Sequence, residues 1–248
     1  MDDQIAANLE SVRRRIAAAC QRSGRSTAEI TLVAVTKTVS AEAIRSACQL
    51  GVTDMGENRV QEARDKMPLL RDLPLRWHMI GHLQSNKAGQ AVDLFQCVHS
   101  VDSVEIAEHL SRRAAGRGRK LAVLLEINIA AEESKFGFRV ASRLSLQDAL
   151  VAGEGGADRL LAAVQRIANL PGLDVQGLMT VAPLAPNPEP ARPHFRNLRL
   201  LRDQLLHALP QRAWPHLSMG MSDDFEVAIE EGATIIRLGR AIFGPRPG

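Results

Sequence analysis

Eight short apolar runs, alternating with helix-length segments, constrain this chain more than any single residue does. The runs are 31–36, 53–56, 76–80, 96–100, 121–129, 173–181, 216–219 and 234–238. Helix-like segments lie near 41–50, 59–67, 85–92, 103–115, 157–169, 191–208 and 222–231. A strand-then-helix unit repeated eight times in 248 residues is the pattern of an α/β fold closed into a (β/α)8 TIM barrel. A doubly wound open sheet is the competitor. Its Gly-rich dinucleotide turn after the first strand is replaced here by TKTVSAE. Ahead of the barrel, Ile5, Leu9, Val12, Ile16 and Ala19 recur at spacings of three and four, which predicts an extra amphipathic helix over 3–22. The expected organisation is a single domain over 1–248, with the N-terminal helix in 1–25 and the barrel from 30 to 248.

Two segments break the rhythm. The stretch 139–158 carries a Gly cluster and lengthens the connection after the fifth strand, so a loop is expected there. The Pro-rich APLAPNPEPARP (182–193) reads as an irregular lead into the helix at 191–208. Only ten residues follow the last strand, which leaves no room for a second domain.

Charge narrows the classes of partner. A formal net charge of +3 is only slightly basic. The arginines at 13–15 and in RRAAGRGRK (112–120) have no aromatic residues among them to stack bases, so they read as solvated faces and not as a nucleic-acid surface. Cys20, Cys48 and Cys97 are isolated, which argues against a disulfide framework or a structural zinc site and for a reducing compartment. The acidic start MDDQIAANLE is not a signal peptide, and no apolar run approaches a membrane span. A cytoplasmic protein without membrane contact is expected.

In barrels the chemistry gathers where strands end. The first run, TLVAVTK, ends on Lys37, an ammonium where a buried parallel strand carries apolar residues. Alternation places Val33, Val35 and Lys37 on one face, and Ile235, Arg237 and Gly239 on one face of the last strand. Closure would make these strands neighbours and point both cations into one mouth, with no obvious buried carboxylate between them. A lysine confined near another cation has a lowered pKa and can condense with an aldehyde. The turns GMS (220–222) and GRA (239–241) occupy the usual phosphate corner, with Ser222 the expected N-cap of the helix at 222–231. Asp223 and Asp224 follow in that first turn and are expected to point outward. An aldehyde, a phosphate and a group facing Arg237 together describe pyridoxal 5′-phosphate (PLP).

The blocks AVTKT, GENRVQE, HMIGHLQSNK, NIAAEESKFGF, GLMTV, LSMGMSDDFEVAIEEGAT and RLGRAIFG complete a resemblance over nearly the whole length. The chain resembles the YggS/PROSC family of pyridoxal phosphate homeostasis proteins. That resemblance implies a PLP barrel similar to the N-terminal domain of alanine racemase. It implies that Lys37 is the Schiff-base lysine and that Arg237 faces the pyridine nitrogen. It implies further that Ser222, Gly239 and Arg240 hold the phosphate, that Asn58 lies close to the ring, and that Lys135 assists cofactor exchange. Met179, Met219 and Met221 read most simply as packing residues, although Met221 stands in the phosphate turn and is carried with the cofactor-binding set. Arg240 replaces a Thr or Ser common among relatives, and Arg59 follows GEN where some carry Tyr.

Competing readings stay beside these roles. Lys37 alone would pass as a snorkelling surface lysine. Arg237 could form an ion pair with Glu57 or Glu126. Lys135 reads equally as a solvated loop residue, and His78 and His99 read as packing histidines. Racemisation needs a second base, which alanine racemase takes from a tyrosine of an additional domain, and this chain contains no tyrosine. The expected role is therefore PLP homeostasis: holding the cofactor, passing it to PLP-dependent apoenzymes and influencing amino- and keto-acid balance with little turnover. No metal is expected, and a monomer is favoured. The alternatives are a PLP-dependent racemase or lyase with another base, a PLP-free Schiff-base aldolase, and a nucleic-acid adaptor.

Overall fold

The structure is a computed structural model that describes residues 2–140, 156–183 and 185–245. Most of the expected 139–158 loop, residues 141–155, lies outside the described residues.

The ring begins with β1 (Thr31–Val35), β2 (Asp54–Glu57), β3 (Arg76–Met79), β4 (Cys97–Val101) and β5 (Leu121–Asn128). It continues through β7 (Leu173–Met179), β8 (His216–Ser218) and β9 (Ile235–Leu238). All neighbours run parallel, β4 pairs with β5, and β9 pairs with β1, so the eight strands form a closed barrel. A two-residue strand the sequence pattern did not announce, β6 (Phe138–Arg139), pairs with the end of β5 outside the ring.

Parallel strands covered on both faces need apolar residues outside and inside, and β4 is buried along its whole length. Outside the ring, α2 (Ala41–Gln49), α3 (Val60–Lys66), α4 (Ala88–Leu94), α5 (Val104–Ala115), α6 (Gly156–Ala168), α7 (Arg192–Ala208), α8 (Phe225–Glu230) and α9 (Arg240–Phe243) follow the strands. Serine hydroxyls start two of them: Ser40 accepts from the Ala43 amide and Ser103 from the Ile106 amide, each at 3.3 Å. The helix expected at 85–92 opens with a 3-10 turn over Ser85–Lys87, and the described residues of the Pro-rich segment include a 3-10 turn at Glu189–Ala191.

The N-terminal helix α1 (Asp2–Ser23) buries the anticipated stripe, Ile5, Leu9, Val12, Ile16 and Ala19. It packs on α2, α8 and α9. Arg15 clamps Glu226 at 2.6 and 2.9 Å and lies 4.4 Å from the Phe225 ring centre, while Asn8 donates to the Ile242 carbonyl at 2.9 Å. The arginine cluster is therefore partly engaged with the barrel itself. In the second cluster Arg117 pairs with Asp93, and Arg119 donates to the carbonyls of Val92 and Phe95. Apolar packing forms two bodies. The larger fills the space between ring and helices, and the smaller, Val33, Cys97, Leu124, Met179 and Ile235, fills the lumen.

Candidate functional site

Lys37 follows β1 in a turn and is half-buried. The residue before it is fastened from below: the Thr36 amide donates to the Gly56 carbonyl at 2.9 Å and its hydroxyl to Glu57 Oε1 at 2.7 Å. Lys66 Nζ donates to the same Glu57 oxygen at 2.9 Å and to the Thr36 carbonyl at 2.6 Å. Burial pushes the Glu57 carboxyl upward, against the pull of Lys66 and Thr36. The residue after Lys37 is held in an uncommon state. Thr38 has φ +63°, a left-handed conformation costing about 1–3 kcal/mol for a non-glycine residue, and its amide donates to Glu62 Oε2 at 3.2 Å. The lysine thus stands on a clamped, strained turn. It opens on a cavity of about 540 Å³ that it shares with Thr38, Gly239, Arg240 and, from α1, Gln4 and Ile5.

The turns after β8 and β9 form one unit. The Arg237 amide donates to the Gly220 carbonyl at 3.0 Å, and the Ala241 amide to Ser222 Oγ at 3.3 Å. Gly220 has φ +93°, and a Cβ there would meet the Ala228 Cβ at 2.6 Å, so α8 can approach only a glycine. Two expectations need correction here. Helix α8 begins at Phe225 with Asp224 as its N-cap, so Ser222 does not cap it; the hydroxyl serves the first turn of α9 instead. Asp223 and Asp224 also part company. Asp223 is exposed and pairs with Arg240 at 2.5 Å, whereas Asp224 turns inward, is buried, and accepts from the Met221 amide at 2.6 Å. Closing the GMS turn on itself leaves the outward assignment true of Asp223 alone.

Arg237 is buried in the lumen, at 4% exposure. It forms neither anticipated ion pair: Glu57 is bound to Lys66, and the guanidinium donates to Ser218 Oγ at 2.6 Å and to the Thr180 carbonyl at 2.9 Å. Burial pushes it down to about 10, opposed by the charges of Glu126 and Asp224. The mouth therefore does contain carboxyls, the buried Asp224 and the half-buried Glu126, contrary to expectation. Glu126 is raised to about 7 by burial and by Asp102, with Arg237 working the other way.

Below Ser218 the polar contacts continue. His99 Nδ1 lies 2.9 Å from Ser218 Oγ, His99 Nε2 2.9 Å from His78 Nδ1, and His78 Nε2 2.9 Å from Asp54 Oδ1. Arg76 closes the line at the far end, donating to the same Asp54 oxygen at 2.6 and 2.8 Å. His78, Cys97 and His99 bring possible metal-ligand atoms within 4.8 Å of one another. Both imidazoles are committed to hydrogen bonds, and burial pushes the Cys97 thiol up to about 12, which keeps it a neutral, poor ligand.

The other expected residues are distributed around the rim. Asn58 borders a second hollow of about 450 Å³ with Arg59, His82 and Lys87. Gly81 lies against it, where a Cβ would sit 2.4 Å from the Asn58 carbonyl oxygen. Met221 is half-buried, while Met179 and Met219 are core residues. Lys135 is tethered to Glu132 at 2.6 Å and reaches the Val181 carbonyl at 3.5 Å, at the end of β7. Sequence reasoning gathered Lys37 with Gly239 and Arg240 and set Glu126 near Arg237, but turned Asp224 outward and missed Gln4 and the lumen chain. The same alternation argument, applied to Arg76 and His78 of β3 and to Cys97 and His99 of β4, would have placed those four side chains inside.

Comparison with known proteins places this geometry among relatives. The alanine racemase N-terminal domain family matches residues 3–247. The chain is 42% identical over 238 residues to the pyridoxal phosphate homeostasis protein of Aquifex aeolicus, covering 96% of each. It is 41% identical over 242 residues to that of Pseudomonas aeruginosa, covering 98% of this chain and 96% of the relative. The structure of PipY from Synechococcus elongatus with PLP bound superposes with a TM-score of 0.79 at 36% identity, over 97% of this chain and 100% of that one.

Proposed function

The chain belongs to the pyridoxal phosphate homeostasis protein family, and from that premise we propose that it binds pyridoxal 5′-phosphate in the mouth of its barrel. The observation that carries the reading is the shared cavity, which Lys37 lines together with Gly239 and Arg240. The residues present fit the group. Lys37 is the amine that takes the aldehyde. Ser222, Gly239 and Arg240 hold the phosphate, with the Arg240 guanidinium released from Asp223 to do so. Arg237 faces the ring nitrogen, and Asn58 and Met221 border the ring. When bound, PLP supplies a carbonyl that captures amines and a ring that draws electrons from them.

The side chains around that position favour retention over turnover. A guanidinium opposite the ring nitrogen disfavours a proton there and weakens the electron withdrawal that many PLP reactions need. The chain has no tyrosine to serve as a second base. We read 1–248 as one cofactor-holding domain, monomeric and cytoplasmic, that yields PLP to apoenzymes; Lys135, at the end of β7, assists the exchange. No helix among the described residues is long and apolar enough to cross a membrane.

One observation favours a second reading, a racemase or lyase. Glu126 is a half-buried carboxyl raised to about 7, a value suited to moving a proton at neutral pH. Titrating the cofactor-free protein with PLP separates the readings. The proposal expects saturable binding with a visible absorption band that Lys37→Ala removes, and no sustained inversion of any amino acid. A Lys37→Ala protein that keeps the band would overturn the cofactor role of Lys37. Steady inversion lost in Glu126→Gln would establish the second reading.

A further inference from the structure

The lumen carries a line of polar side chains that no role above uses, running from Arg237 at the mouth to Arg76 at the opposite end of the barrel. Its two termini fix the direction of the end bonds, and one proton on each ring carries that direction through the middle. A guanidinium only donates, so Ser218 Oγ accepts from Arg237 at 2.6 Å. Asp54 is held below the usual carboxylate range by its bonds to His78 and Arg76, which outweigh burial, so it only accepts. His78 therefore carries its proton on Nε2. In that tautomer Nδ1 is bare and accepts from His99 Nε2 at 2.9 Å. Burial, with His78 and Arg237 adding to it, pushes His99 well below its ordinary value, so its Nδ1 is also bare and accepts the Ser218 hydroxyl proton at 2.9 Å. Donation runs one way: Arg237 to Ser218, to His99, to His78, to Asp54. Each imidazole nitrogen along it, and Ser218 Oγ and Asp54 Oδ1 at its ends, has a partner.

We propose that His78 and His99 are positioning residues for Arg237, forming with Ser218 and Asp54 a one-way hydrogen-bond chain that fixes the guanidinium at the mouth of the barrel. Arg237 lacks a carboxylate in salt-bridge contact among the described residues, and its position rests on two neutral acceptors. One of these, the serine oxygen, would rotate freely if His99 did not hold its proton. The chain hands the acceptor strength of Asp54 upward, because each donor polarised by the bond below it becomes a better acceptor above. This role rests on the proposed PLP site, since Arg237 is placed there to face the ring.

The test has two arms that fail separately. In the first, the cofactor-free protein carrying ¹⁵N-labelled histidine is examined by long-range ¹H–¹⁵N correlation. Both rings should carry one proton, on Nε2. A ring protonated on Nδ1, or on both nitrogens, would break the chain as drawn whatever PLP does. In the second, His99→Phe keeps an aromatic ring in the lumen and removes both of its bonds. It should release PLP roughly tenfold faster than the parent and shift the absorption maximum of the bound cofactor. Ser218→Ala should act alike and Ser218→Thr should restore the parent behaviour, a pair that decides the matter if His99→Phe does not fold. Unchanged release and spectrum in the variants would overturn the positioning role. A parent that binds no PLP would reject the site and this role together, while the tautomers would still report whether the chain exists.

Discussion

The barrel has two interiors, and they obey different rules. Between ring and helices lies an apolar layer in which Phe95, Phe195, Phe225 and Trp214 are almost completely buried. Inside the ring, a thin apolar layer gives way to Asp54, His78, His99, Ser218 and Arg237, all buried and all hydrogen-bonded. The outer layer derives its stability from area removed from water, about 1.5–3 kcal/mol for each large apolar side chain. The lumen adds little of that kind. Its polar groups cost desolvation and return directed hydrogen bonds, which is what a site needs in order to hold one charged group in one place. In this account the outer layer makes the fold and the lumen aims the chemistry.

The strongest way to break that division is to damage the outer layer and look for an effect at the site. Phe195→Ala should lower unfolding free energy by about 3–5 kcal/mol in denaturant melts, through lost transfer energy and a residual cavity. The fraction that stays folded should show the parent spectrum with PLP. A shifted spectrum would mean the two interiors are coupled.

Glu126 sharpens the comparison through pH. Its carboxyl stands at about 7 in the fold against 4.5 for the free group, so the folded state prefers the protonated form. The stability this lends is complete below about 4.5 and fades as pH rises to about 7, a loss on the order of 3 kcal/mol. Glu126→Gln removes the titration. Measured at pH 5 and pH 8, the parent should lose that amount relative to the variant, and parallel behaviour of the two proteins would contradict the burial argument.

The rim should respond least. The Asp223–Arg240 pair leaves both side chains 57% exposed, so Asp223→Ala should change stability by less than about 0.5 kcal/mol. It should tighten PLP binding by freeing Arg240 for the phosphate. Weaker binding would place Asp223 among the groups that hold the turn.

What the sequence made legible follows the same division. The outer layer writes itself in periodicity: the α1 stripe and all eight strands of the ring stand where the apolar pattern puts them. Lys37, Gly239 and Arg240 could be grouped from the sequence because strand ends in a barrel lie close together, and they line one cavity. The lumen was harder because a polar residue in a strand looks the same whether it faces solvent or a partner across the ring. His78 and His99 read as packing until the ring closed and brought them within 2.9 Å of each other. Asp223 and Asp224 are identical neighbours in sequence, and only the tightness of the Gly220 turn decides which one is drawn inside. Lys66 went unnoticed because its partner, Glu57, stands nine positions away on a different element.

The most direct test of the account is chemical capture. The PLP-loaded protein is reduced with borohydride, digested, and its peptides weighed. One pyridoxyl group is expected, carried by the peptide that contains Lys37. A pyridoxyl group on Lys135, on Lys66 or on no lysine at all would contradict it.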